Sequence, residues 1–156
     1  MRVAALVLGA LVLAATACGG STKTETNVVT VTNVSTVTAP APVAAHRDYA
    51  RFQMPSHNVG CGLDSGVLRC DILSGLQPEP SKACELDWTG VVLEAQGAAQ
   101  PECAGDTVYE ASTPVLEYGE TWSRGGMTCL SLETGLECRN NGGHGFKLAR
   151  GAWSAN

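Results

Sequence analysis

Six cysteines punctuate residues 46–156: Cys61, Cys70, Cys84, Cys103, Cys129 and Cys138. Their spacing constrains the fold more than any other feature of the chain. Eight residues separate Cys61 from Cys70, and eight separate Cys129 from Cys138. Each interval holds turn residues, Asp64-Ser65-Gly66 in the first and Glu133-Thr134-Gly135 in the second. Apolar residues flank both turns: Leu63 and Val67, then Leu132 and Leu136. This is the pattern of two hairpins. Cysteines at equivalent heights on paired strands fall within bridging distance. An even number of cysteines in an exported domain implies a disulfide framework, although six allow about 15 pairings and sequence alone does not choose among them. The hairpin pattern favours Cys61–Cys70 and Cys129–Cys138, which leaves Cys84–Cys103 by elimination. No C-x-x-C pair is present, so the cysteines are read as bridges and not as zinc ligands.

Composition explains why bridges are needed. Leu, Ile, Val and Phe together supply 20 of the 111 residues from 46 to 156, or 18%. Chains below about 20% struggle to pack a core. Three Trp and three Tyr add to it. In the chain-entropy account, closing loops of roughly 10 and 20 residues stabilises a fold by about 2.5 to 3.5 kcal/mol each. Three such bridges rival the net stability of an ordinary domain, about 5–15 kcal/mol.

Between the hairpins the signals remain those of strands. Leu86–Leu93 mixes alternation with an apolar run, Asp106–Glu110 alternates, and Val115–Tyr118 is short and apolar. Gly119 turns the chain into Thr121-Trp122, and Gly145–Leu148 alternates again. No stretch sustains a helical period with caps. Fifteen glycines in this region suit many tight turns. The expected class is all-β: a small disulfide-stabilised sandwich or barrel built from hairpins. The two Cys-x8-Cys units resemble a weak internal duplication whose halves pack together.

The first 45 residues differ in character. Met1-Arg2 is basic, Val3–Ala15 is uncharged, and Thr16-Ala17 precede Cys18-Gly19-Gly20-Ser21. A basic start, an apolar run too short to span a bilayer comfortably and small residues at the cut describe a signal peptide. Ala15-Thr16-Ala17-Cys18 resembles the bacterial lipobox, with Ala15 where Leu is commonest. The resemblance implies cleavage before Cys18 and lipidation of its thiol. Two or three acyl chains anchor stably where one is marginal. Residues 18–45 are dominated by Thr, Val, Ser, Asn and Ala, with Pro40 and Pro42, and read as a flexible tether. The expected organisation is therefore a lipoprotein signal peptide over 1–17, a lipid-anchored tether over 18–45 and a cysteine-rich β domain over 46–156.

The domain also resembles a family of small, secreted or lipid-anchored actinobacterial domains of unknown function, domain-of-unknown-function family 6636. The residues that carry the resemblance are Phe52-x-Met54-Pro55-Ser56-x-Asn58-Val59-Gly60-Cys61-Gly62, then Arg69-Cys70-Asp71-Ile72. Cys84-x-Leu86-Asp87-Trp88, Cys103-Ala104-Gly105-Asp106-Thr107 and Leu116-x-Tyr118-Gly119 follow. Cys129, Cys138-Arg139-Asn140 and Gly143-His144-Gly145-Phe146 close the run. The resemblance implies an exported, disulfide-bonded β domain and brings no activity with it.

Candidate functional residues are few. His144 lies among glycines in Asn140–Phe146, and Asp106 and Asp71 are the carboxylates that would make it an acid or base. The competing reading makes Asn140–Gly143 a turn, His144 a backbone-bonded turn residue and the aspartates turn caps. Asp64, Asp71, Asp87 and Asp106 are too scattered in sequence to show a Ca²⁺ site. Among the aromatic residues, Trp122 beside Arg124 is a candidate binding residue, whereas Trp88 is read as core. The domain carries 8 basic and 14 acidic residues, a balance that argues against a general nucleic-acid binder. No cofactor and no metal is expected. The resulting expectation is a non-enzymatic module, lipid-anchored to the membrane outside the cytoplasm, that binds an envelope protein, a glycan or a small ligand. The alternative is an envelope hydrolase using His144 with Asp106 or Asp71. Anchoring through Cys18 predicts that Cys18→Ser moves the protein from the membrane fraction to the soluble fraction of cells. Unchanged membrane retention would refute it.

Overall fold

The computed structural model describes residues 45–156. The segments read as signal peptide and tether, with Cys18, lie outside the described residues except for Ala45. Those described are all-β, with eleven strands in two sheets. The first sheet runs β2 (Arg51–Gln53), β3 (Val59–Asp64), β4 (Val67–Ile72), β5 (Asp87–Glu94) and β6 (Gln100–Ala104) as an antiparallel meander. The second runs β7 (Thr121–Arg124), β8 (Met127–Leu132), β9 (Gly135–Asn140), β10 (Gly145–Ala149) and β11 (Ala152–Ala155) in the same way. A short β1 (His46–Arg47) adds to the free side of β7 in parallel. The sheets face each other with β5 against β9 and β10, which makes the fold a sandwich.

The hint of duplication in the cysteine spacing extends to the three-dimensional register. Cys61 stands opposite Cys70 on β3–β4, and Cys129 opposite Cys138 on β8–β9. Each pair is a disulfide at the second and third strands of its meander, with Cα–Cα distances of 4.1 Å and 4.0 Å. Such close approach suits a directly opposed, non-hydrogen-bonded pair on antiparallel strands. The first cysteine of each bridge is flanked by an aromatic on the first strand: Phe52 opposite Cys61, Trp122 opposite Cys129. These two rings meet across the sandwich with centroids 5.2 Å apart. Leu68–Leu93 and Leu136–Leu148 form a further equivalent pair of buried cross-strand contacts. The core is therefore two copies of one pattern, a bridge, an aromatic and a leucine pair, packed face to face.

The fourth strand of each copy carries a glycine for a steric reason. Gly90 lies opposite Asp71, and Gly145 opposite Arg139, each partner being the residue after the second cysteine of a bridge. A Cβ on Gly90 would run into the Cys70 carbonyl oxygen, and one on Gly145 into that of Cys138.

The third bridge, Cys84–Cys103, ties the long connection between β4 and β5 to β6, with a Cα–Cα distance of 5.8 Å. Two expected strands do not form as such. Residues 105–116 instead cross the outer face of the first sheet, and only Val115 bridges, in parallel, to Gln53. Side chains satisfy backbone donors there in place of a strand ladder. Val108 N–H donates to Asp71 Oδ2 at 2.8 Å, and Tyr109 N–H to Thr107 Oγ1 at 3.0 Å. The alternation of Asp106–Glu110 thus reflects a segment lying on a sheet rather than within one.

Gly90→Ala and Gly145→Ala should each lower stability by about 2–3 kcal/mol in chemical denaturation. Gly105→Ala, whose Cβ would meet only Leu86 side-chain carbons at 3.6 Å and beyond, should stay within about 0.5 kcal/mol of the wild type. Equal effects at the three positions would contradict the close-approach account.

Candidate functional site

The connection 73–86 forms a strap over one end of the sandwich. Ile72 ends β4 and Asp87 begins β5, and the strap between them is fastened along its length. Leu76, only 1% exposed, plugs into the core, and its N–H donates to the Trp88 carbonyl at 3.0 Å. Leu73 N–H donates to the Asn58 carbonyl at 2.8 Å, and Asn58 Nδ2 to Ser74 Oγ at 3.3 Å. Further along, Trp153 Nε1 on β11 donates to the Pro78 carbonyl at 2.7 Å. The Cys84–Cys103 bridge closes the far end.

Between strap and β5 lies a cleft of about 390 Å³. Its wall comes from the strap, including Leu73, Gln77 and Glu79, and its other side from Asp87, Trp88 and Thr89. Trp88 is half-buried and packs partly against the core. Leu73, 54% exposed, lines the cleft, and Leu86, 60% exposed, directly precedes Asp87. The Thr89 hydroxyl is shielded from solvent and finds no partner among the described residues. A large apolar side chain held in water at the mouth of a cleft suits a surface made to be covered. A second cleft of about 290 Å³, with Tyr118, Glu133 and Arg150, lies among the turns after β2, β8 and β10. It lacks both the half-buried Trp and a fastened wall.

Next to the strap cleft stands an ion-pair clasp. Arg69 grips Asp71 in bidentate fashion, Nε to Oδ1 and Nη2 to Oδ2, both at 2.9 Å. Its Nη1 reaches Asp106 Oδ1 at 2.8 Å, and Nη2 also donates to the Asp106 carbonyl at 2.7 Å. Burial opposes the guanidinium charge, yet the hydrogen bonds to Asp71 and Asp106 raise the Arg69 pKa above its ordinary value. The hydrogen bond from Arg69, and then its charge, lower the Asp106 pKa in turn. Asp71 is 1% exposed, so Arg69 neutralises a carboxylate that water cannot reach. The clasp pins the start of 105–116 to the first sheet.

A family model, described as a family of unknown function (DUF6636), matches residues 32–154. The chain belongs to that family. Comparisons with curated proteins and with solved structures found no match. The family match begins within the segment read as tether and covers the whole described β domain except its last residues.

In this DUF6636 domain the residues singled out from sequence separate. Trp122 is not a surface residue: it is 0% exposed, packs at a tilt against Phe52, and spends its indole N–H on the Tyr49 carbonyl at 2.7 Å. The neighbouring Arg124 misleads because it sits at the end of β7, where its Nη1 donates to the Asp48 carbonyl at 3.0 Å. Trp88, read as core, does pack partly against it but stays half-buried and lines the strap cleft.

Asp71 and Asp106 do come together, but around Arg69 and not around His144. His144 closes a turn whose centre is Asn140. Asn140 Oδ1 accepts from Gly142 N–H at 2.9 Å and His144 N–H at 3.0 Å, and Asn140 N–H donates to the His144 carbonyl at 2.9 Å. The Asn140 Nδ2 group ties this turn to the Glu94 and Gly97 carbonyls, beyond the far end of β5 from Asp106. Among the described residues His144 forms no ion pair with a carboxylate. The pairing of His144 with Asp106 or Asp71 is therefore corrected: the turn reading of His144 describes the geometry.

The histidine with an oriented ring is His57, which sequence reasoning passed over. Its Nδ1 lies 2.8 Å from Gln53 Oε1. Gln53 Nε2 donates to the Ala111 and Thr113 carbonyls at 2.8 and 2.9 Å, which fixes Oε1 as the acceptor. Nδ1 of His57 therefore carries the proton, and Tyr109 Oη donates to the same Oε1 at 3.2 Å. A glutamine in a three-residue edge strand gives no sequence signal of this role. Gln53, 2% exposed, serves mainly to lash 109–115 onto the first sheet.

Arg69→Leu should destabilise the domain by about 3–5 kcal/mol, because Asp71 is left buried and unpaired. Asp106→Asn should cost far less, since Asp106 is exposed. The depressed Asp106 pKa adds stability that is complete above the ordinary carboxylate pKa of about 4 and is lost as pH falls through the lower folded value. In thermal melts between about pH 6 and pH 2, wild type should therefore lose more stability than Asp106→Asn. Identical acid limbs would overturn the clasp.

Proposed function

We propose that this domain is a ligand-binding module of the cell envelope, held at the membrane by lipid on Cys18 and given reach by residues 18–45. Its ligand seats in the strap cleft beside Trp88. The observation that carries this reading is the fastened strap itself. It sets the exposed Leu73 side chain and the half-buried Trp88 around one concavity, on a scaffold rigid enough to preorganise them. The cleft's volume, about 390 Å³, suits a small ligand or the end group of a glycan or peptide better than a broad protein face. Binding residues on loops held by a rigid scaffold are a general arrangement.

A photoreactive amino acid introduced at Leu73 in the full chain tests the reading on intact cells. The expected result is a discrete adduct that disappears when Trp88→Ala is combined with the probe. A matching probe at Thr128, exposed on β8, should give none. Adducts that form equally at Leu73 and Thr128, or that survive Trp88→Ala, would overturn it.

A further inference from the structure

We infer that the ligand of the strap cleft is a cation, an amine or ammonium group carried on an aliphatic stem. This inference rests on the strap cleft being the binding site. Three carboxylates line the cleft: Asp71, Asp87 and Glu79. Arg69 and the Val108 N–H occupy both oxygens of Asp71. Asp87 and Glu79 are exposed, and neither has an ion-pair partner among the described residues. No lysine or arginine lines the cleft. An anionic ligand would therefore meet two uncompensated negative charges.

The hydrogen-bonding character of the lining agrees. Asp87 and Glu79 only accept, while the Ser74, Gln77 and Thr107 side chains that also line the cleft can accept as well as donate. An ammonium brings three donors and no acceptor, which suits the two free carboxylates; a sugar hydroxyl brings one donor and two acceptor lone pairs, which face those carboxylates less well. Trp88 supplies the remaining element. A tryptophan beside carboxylates attracts cations through its ring quadrupole, and the half-buried position limits competition from water. The exposed side chain of Leu73 offers an apolar surface for the stem. The domain's excess of 14 acidic over 8 basic residues steers cations towards it.

The test titrates the full chain, purified in neutral detergent, with cadaverine, with glutarate as its anionic counterpart of equal length, and with N-acetylglucosamine as a neutral sugar. Indole N–H signals in NMR report the site, because Trp88, Trp122 and Trp153 give separate resonances. Cadaverine should shift the Trp88 signal while leaving that of buried Trp122 in place. Its affinity should fall about tenfold in Asp87→Asn and weaken as salt is added. Glutarate should have no effect. If N-acetylglucosamine or glutarate moves Trp88 as strongly as cadaverine, the cation inference fails and the cleft survives as a binding site. If no probe moves Trp88 at any concentration, the cation inference fails, and the Leu73 adduct separately decides whether the site does.

Discussion

The buried disulfides Cys61–Cys70 and Cys129–Cys138 are the constraint on which the rest of the structure depends. Each joins directly opposed residues at the second and third strands of a five-strand meander, and their cysteines are at most 1% exposed. With so few large aliphatic residues in the domain, the sheets have little else to fix register. A slip by one residue would turn every inward side chain outward. The bridges forbid that slip at the centre of both sheets, and the Phe52–Trp122 contact then locks one sheet against the other.

The two meanders are alike at their centres and differ in their connections, and function is best sought in that difference. Between the third and fourth strands, the second sheet needs only the tight turn built around Asn140. At the equivalent place the first sheet carries the strap 73–86, with its own bridge, its buried Leu76 and the cleft beneath it. The first sheet also bears the segment 105–116, clasped by Arg69 and lashed by Gln53. The core pattern is thus shared, whereas the strap, the cleft beside it and the clasped segment belong to one half.

Much of this was legible in the residues. The Cys-x8-Cys intervals with their turn residues located both central hairpins and their bridges, because hairpin geometry is local and disulfide reach is short. The all-β class followed from alternation and glycine content. What stayed hidden depends on distant contacts. Trp122 is buried where a surface residue was expected, because burial is decided by which strand face meets the other sheet, and an adjacent arginine says nothing about that. The grip of Arg69 on Asp106 spans 37 residues, and Gln53 anchors a segment nearly 60 residues away. His144 attracted attention through its glycines, which serve a turn.

Membership of DUF6636 brings no activity with it, so the functional account stands on a bridge-held scaffold presenting a preorganised cleft. Thermal unfolding of the full chain with and without a strong reductant tests that scaffold most directly. The three bridges contribute together about 8 kcal/mol in the chain-entropy account, comparable to a whole domain's net stability. The account predicts that reduction abolishes the cooperative transition at ordinary temperatures. A reduced protein that melts at the same midpoint as the oxidised one would contradict it.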